Sequence, residues 1–329
     1  MKSKVIIFTA PYKVAIDEIE MPPLKKGQVL TKTLYTGVST GTETRVLVGR
    51  QTGTTFPCIP GYENVGEVVD VGEGVALKKG AKVFVGQSEF TGPFSAMWGG
   101  QVEYAISNAE RLISIPDNTD LVSALYAKTC AIALHGMKRV KVTSNDKVAI
   151  VGQGLIGHLA AQIAKARGAL VIAIDTIDER LEASKQAGVD HVINASRENV
   201  KEMVNKFTHN ELSVAVDVTG LASTIESTIQ LLPDIHPWKP PFPAISRFLL
   251  LGSYVEPITI NYSFLFEIEP DVIISRDCNY TDLIEALALI SSGQVKPRGI
   301  PTTMVPFADA PKAYDDLINR RAMRVVYKW

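Results

Sequence analysis

The sequence predicts an α/β chain: a small β-rich lobe joined to a doubly wound parallel sheet covered by helices. Three observations predict it. Across roughly the first hundred residues, short apolar or alternating runs are broken by Gly and Pro. From about Leu121 onward, apolar strand-like runs alternate with helical stretches, the signature of strands laid parallel. Finally, the run 148–151 passes straight into Gly152-Gln153-Gly154-Leu155-Ile156-Gly157.

In chain order, the runs 5–9, 29–35, 65–71, 82–85 and 102–106 read as strands, with Pro22-Pro23, Gly27, Gly61, Gly72 and Gly80 as punctuation. Their short spacing predicts a small barrel or sandwich. In the second half, 148–151, 170–174, 191–194, 213–218 and 248–251 read as strands, separated by helices at 155–167, 178–187, 200–207 and 222–231. Those strands are apolar throughout, as both faces of a doubly wound sheet are covered. The tail, 281–291, 307–318 and 324–327, reads helix, helix, strand. The stretch 233–246, with five prolines, Trp238 and Phe242, reads as an irregular insertion.

A chain of 329 residues suits two domains. Its net charge of -1 gives no basic excess for nucleic acid or an anionic membrane. The apolar run after Met1-Lys2-Ser3-Lys4 reads as a first strand rather than a signal peptide, and no run is long enough to span a bilayer. Three scattered cysteines, Cys58, Cys130 and Cys278, offer neither a disulfide framework nor a CxxC metal cluster. A cytoplasmic location is expected.

The glycine turn gains its meaning from context. Gly152 permits a tight turn after the strand, Gly154 admits a pyrophosphate to the backbone, and Gly157 lets helix and strand pack closely. Leu155 and Ile156 begin a helix whose free N–H groups and partial positive charge face the phosphates. Some twenty residues on, Asp175 ends the second strand, where a carboxylate accepts both ribose hydroxyls and repels a 2′-phosphate. The cofactor expected is therefore NAD. Thr219 with Gly220, and Gly252 with Ser253, end later strands and are further expected cofactor contacts, as is Arg180 over the adenine.

With these residues assembled, nearly the whole chain resembles the medium-chain dehydrogenase/reductase family, the zinc alcohol, sorbitol and threonine dehydrogenase superfamily. The match is carried by Tyr35-Thr36-Gly37-Val38-Ser39-Thr40-Gly41-Thr42-Glu43, Pro60-Gly61-Tyr62-Glu63-Asn64-Val65-Gly66, the glycine turn, and 307–327. The resemblance implies a GroES-like catalytic domain over 1–122, a Rossmann NAD-binding domain over 123–278 and a return segment over 279–329. It also implies a homodimer, paired through a sheet edge near Val272 and Ser275.

The chain departs from the family's zinc pattern. The cysteine slot falls on Ser39 or Thr40, the histidine slot on Tyr62, and the third on Lys128, while no cysteine lies between Phe84 and Val102. Only Glu63 is a ligand type that zinc accepts. No metal is expected, and the subgroup most similar is that of hydroxyethyl-bacteriochlorophyllide dehydrogenase.

Alcohol oxidation needs a group to take the hydroxyl proton and steady the alkoxide. Tyr62 is the candidate acid or base, with Lys128 favouring its phenolate. The alternative is that Tyr62 fills the space of histidine and zinc while Lys128 pairs with Glu63. Thr42 is the candidate hydroxyl relay, and His135 follows Lys128 by two helical turns. Phe56, Phe90, Phe94 and Trp98 are candidates for an apolar pocket or for loop core, and Arg45 and Arg50 for anion contacts or surface charge. The expected reaction is hydride transfer between NAD and a secondary alcohol or ketone of a small biosynthetic intermediate. Two alternatives stay open: an NAD(P)H-dependent quinone or enoyl reductase, and a non-catalytic NAD-binding sensor.

Overall fold

The computed structural model describes residues 1–90, 92–234 and 246–329. Most of the expected insertion at 233–246 lies outside them. The chain divides into two compact units: Met1–Lys128 with Pro301–Trp329, and Thr129–Ile300.

In the first unit, Lys13–Glu20, Lys2–Ala10, Cys58–Ile59 and Ser95–Ala96 form a four-stranded sheet in that order. A second sheet runs Thr303–Pro306, Val325–Lys328, Gln28–Gly37, Glu63–Val71, Lys82–Val85 and Ile113–Ser114, and Tyr104–Asn108 also pairs with Gln28–Gly37. Its registers build the functional cluster. Gly37 lies opposite Glu63 on one side and Val326 on the other, so two segments far apart in sequence flank one glycine. A helix, Thr40–Leu47, follows directly and buries Glu43, Val46 and Leu47. Sequence patterning missed this helix, because Thr, Gly and Thr are weak helix formers.

The second unit carries a six-stranded, all-parallel sheet ordered His191–Asn194, Leu170–Asp175, Lys147–Val151, Val214–Asp217, Arg247–Leu250 and Asp271–Ile274. Helices Leu155–Ala166, Asp178–Gln186 and Val200–Thr208 follow successive strands, as the apolar periodicity predicts. Apolar side chains including Ile172, Ile174, Val204, Ile229 and Phe248 form one core cluster.

The unit boundaries correct the expected ones. Helix Tyr280–Ser291, read as part of the return segment, belongs to the second unit. Asp282, 2% exposed in its side chain, accepts from Lys138 Nζ at 2.9 Å and contacts His135 Nδ1 at 2.7 Å, tying this helix to Ala127–Arg139. The chain therefore re-enters the first unit only after Ile300.

Candidate functional sites of the two units

Strand Lys147–Val151 ends at Gly152, whose φ of 98° is open to glycine at little cost. A Cβ on Gly157 would stand 1.8 Å from the Gly152 carbonyl oxygen, so helix and turn pack as closely as expected. At Gly154 the same added atom would meet nothing within 4 Å. The turn is thus tight at its ends and open in the middle, which is what a phosphate approaching the backbone needs. These residues fit a dinucleotide.

Asp175 stands at the end of Leu170–Asp175, 7% exposed. It accepts N–H groups of Gln153 at 2.7 Å, Thr176 at 2.8 Å and Ile177 at 3.0 Å. Arg180 Nη1 sits 3.5 Å from Oδ2, placing it at the carboxylate. With Arg180 counted beside the three N–H donors, the four or so acceptor positions of the carboxylate are taken, the Arg180 contact being the longest. The expected ribose hydroxyls would have to displace the Arg180 contact or share an oxygen with a backbone N–H.

Thr219, Gly220, Gly252 and Ser253 come together, as a Cβ on Gly252 would lie 2.9 Å from Gly220 N. Sequence reading missed what joins them. Asp217, fully buried, accepts from the hydroxyls of Thr219 at 2.8 Å, Thr224 at 2.7 Å, Thr228 at 3.0 Å and Tyr254 at 2.7 Å. A strand-ending Asp ahead of Thr-Gly was the available signal.

The polar cluster of the first unit is deeper. Tyr62, 8% exposed, donates its hydroxyl to Ser39 Oγ and stands 3.4 Å from Thr42 Oγ1. Trp98 meets the Tyr62 ring edge-on at 5.1 Å. Burial, followed by the Glu63 carboxylate, pushes the Tyr62 phenol above its ordinary value. That direction runs against the expected phenolate and favours the protonated phenol, which donates to Ser39.

Glu63 is also corrected. It forms a buried ion pair with Arg324, both side chains 0% exposed, and not with Lys128. Arg324 also donates to Val38 O at 3.0 Å and lies 4.1 Å over the Tyr126 ring. A Cβ on Gly37 would overlap both partners, so glycine is required where the register brings them together. Arg324 carried no local sequence signal. Glu63 is thereby a pairing residue rather than a catalytic one. Lys128 is the second residue of helix Ala127–Arg139 and is partly exposed. The Tyr62 hydroxyl bonds run to Ser39 and Thr42 rather than to it.

Of the four aromatic candidates, Phe90 and Phe94 pack on the core around Val5 and Ile59, and Phe56 packs on the core around Phe8 and Tyr314. They are loop core. Trp98 packs there too, yet with Gln87, Ser88, Ala96 and Met97 it also lines a recess of about 340 Å³.

Residues 25–117 match the family of alcohol dehydrogenase GroES-like domains, and 156–234 that of zinc-binding dehydrogenases. An alcohol dehydrogenase of Geobacillus stearothermophilus is 30% identical over 78% of this chain and 85% of its own. A sorbitol dehydrogenase of Halalkalibacterium halodurans is 26% identical over 95% of this chain and 94% of its own. The chain belongs to the medium-chain dehydrogenase/reductase superfamily. It is an oxidoreductase, with a GroES-like domain in the first unit and a Rossmann domain in the second. A 2-desacetyl-2-hydroxyethyl bacteriochlorophyllide A dehydrogenase of Rhodobacter capsulatus is 24% identical over 100% of this chain and 99% of its own. Among solved structures, a short chain alcohol dehydrogenase (rspB) of Escherichia coli complexed with NADH has a TM-score of 0.84 at 24% identity, covering 100% of this chain and 99% of that one. A putative zinc-binding dehydrogenase of Sinorhizobium meliloti bound to NADP has a TM-score of 0.85 at 20% identity, covering 100% of each chain.

For this dehydrogenase the metal question turns on donors. Among the described residues no group of three or more His, Cys, Asp or Glu side chains could hold an ion. The zinc slots of the family pattern carry hydroxyls, a phenol and an ammonium, and Glu63 is already paired. No helix among the described residues is long and apolar enough to cross a membrane.

Proposed function

We propose that this dehydrogenase transfers a hydride between NAD and a secondary alcohol, or the matching ketone, of a small biosynthetic intermediate, without a catalytic zinc. The observation that carries the reading is the buried Tyr62–Ser39 hydroxyl pair, Tyr62 standing in the family's histidine slot and Ser39 being one of the two positions for the cysteine slot. When bound, the nicotinamide supplies or accepts the hydride. The protein's own part is the proton. Tyr62, kept protonated by burial, turns its O–H from Ser39 to a carbonyl oxygen, accepts the Ser39 hydroxyl in exchange, and passes its proton as the alcohol forms. Ser39 and Thr42 flank that hydroxyl and steady the phenolate left behind. In the reverse direction the phenol must first lose its proton, so alkaline pH favours oxidation.

The NAD preference rests on Asp175, whose negative charge opposes a 2′-phosphate. Lys128 and Thr42 are proposed to act around the reacting group, Lys128 as a cation for developing negative charge. The substrate class draws support from relatives named for sorbitol and for a bacteriochlorophyllide side chain. A quinone or enoyl reductase would favour NADPH, so relative kcat/KM with NADH and NADPH separates the readings. The sensor reading requires NADH binding without turnover on any ketone. The test of the proton role is Tyr62→Phe: loss of turnover with NADH affinity intact supports it, and full turnover with an unchanged pH profile ends it.

A cytoplasmic homodimer belongs to the same proposal. Strand Asp271–Ile274 ends the parallel sheet with Val272 47% and Ile274 64% exposed, an apolar edge that a second copy would cover. Light scattering that returns a monomer mass at working concentration contradicts it.

A further inference from the structure

Glu43 is fully buried, and among the described residues no cation pairs with it. Three neutral donors hold it instead. Oε1 accepts the Ser39 N–H at 2.8 Å, and Oε2 accepts the Tyr314 hydroxyl at 2.6 Å and the Gln101 amide at 3.2 Å. Gln101, also fully buried, accepts the Thr36 hydroxyl at 2.6 Å and donates to Gly37 O at 3.2 Å. Its aliphatic stem lies under Gly61, where a Cβ would stand 2.6 Å from Gln101 Cγ. Gly61, at φ 93°, is the residue before Tyr62.

Both backbones that carry the hydroxyl pair are therefore gripped from below, Ser39 by Glu43 and the Gly61–Tyr62 turn by Gln101. Ser39 occupies the N-cap of helix Thr40–Leu47, yet its hydroxyl makes no cap bond. An N-cap serine ordinarily spends that oxygen on a helix N–H. Here it receives Tyr62, while Glu43 reaches back to the Ser39 N–H and anchors the turn.

We propose that Glu43 and Gln101 are positioning residues that hold the Ser39 and Tyr62 hydroxyls as one fixed pair, and that Glu43 does so only as a carboxylate. A protonated Glu43 would present an O–H to a shell made of donors, so Tyr314 or the Gln101 amide would have to turn round. Burial, with the nearby Glu63 charge adding to it, raises the Glu43 carboxyl to about 7, so the change falls near neutrality. The phenols and the guanidinium that face it do not change there. Glu63 is held by Arg324, burial raises the Tyr62, Tyr314 and Tyr327 phenols, and Arg45, on the same helix, is a guanidinium.

The proposal rests on the reading of Tyr62 as the proton-donating group, and its test does not use turnover. The probe is 3-fluorotyrosine replacing Tyr62 in the full chain, read by fluorine NMR across roughly pH 5.5 to 8.5. The line is expected to move with a midpoint near 7, as Glu43 gains its proton. Glu43→Gln is expected to abolish that movement, and Gln101→Leu to broaden or split the line at the alkaline end. A line that ignores pH in the unsubstituted background overturns the proposal, as does an unchanged midpoint in Glu43→Gln. The unsubstituted titration needs no folding variant. Tyr62→Phe turnover is a separate measurement, so the proton role and the clamp can fail independently.

Discussion

The glycine turn draws on six consecutive residues plus Asp175, and what it offers a ligand is mostly backbone. The polar cluster of the GroES-like domain draws Ser39, Glu43, Tyr62, Glu63, Gln101, Tyr314 and Arg324 from nearly the full length of the chain, and works through side chains. The first kind of site should tolerate changes in most side chains but not at Gly152 or Gly157, where φ or packing excludes a Cβ. The second depends on its partners, because Glu43, Gln101 and the Glu63–Arg324 pair are held chiefly by other buried side chains.

That contrast sets the predictions. Arg324→Met should be the most damaging change, since it leaves the Glu63 carboxylate buried and unpaired at a cost of about 3–5 kcal/mol. The urea midpoint measures it, and a loss below about 1 kcal/mol would mean the pair adds little. Tyr62→Phe should lower turnover by roughly 10²–10⁴-fold while leaving the melting temperature near that of the parent. In the Rossmann domain, Gly157→Ala forces an atom against the Gly152 carbonyl, and roughly 1–3 kcal/mol of stability should go together with NADH affinity. Titration calorimetry reads the affinity, and unaltered binding would show the turn to be looser than its packing implies.

The smallest effects are opposite pH slopes in the two domains. The folded-state value of Glu43 is raised to about 7 from 4.5, so the folded state holds more protons between those values and its contribution is lost as pH rises through them. His158 is the reverse. Burial lowers it to about 4 from 6.5, so its contribution is lost as pH falls through that window. Melting temperature against pH should therefore lose its downward component in Glu43→Gln and its upward one in His158→Met. Among the described residues His158 Nε2 has no hydrogen-bond partner, so the His158→Met change should also be neutral or stabilising near pH 7.

What could be read from the sequence follows the same divide. The parallel strands, the glycine turn and Asp175 were legible because each is a local pattern with a local cause. Tyr62 and Thr42 stood out through the family resemblance, yet their partners did not. Glu63 and Arg324 lie 261 positions apart, and only sheet register brings them to Gly37. Helix Thr40–Leu47 was invisible because tertiary contacts, chiefly Glu43 on Ser39 and the burial of Val46 and Leu47, overcome poor propensity. The domain boundary slipped because Asp282 binds residues on another helix, which no local periodicity records.

The claim that proton transfer at this site belongs to a phenol and not to a metal is most directly tested on purified, active enzyme by elemental analysis paired with chelation. The account predicts zinc well below one equivalent per chain and ketone reduction by NADH that survives a strong chelator. Stoichiometric zinc, lost to the chelator together with turnover and restored with it, would contradict the account.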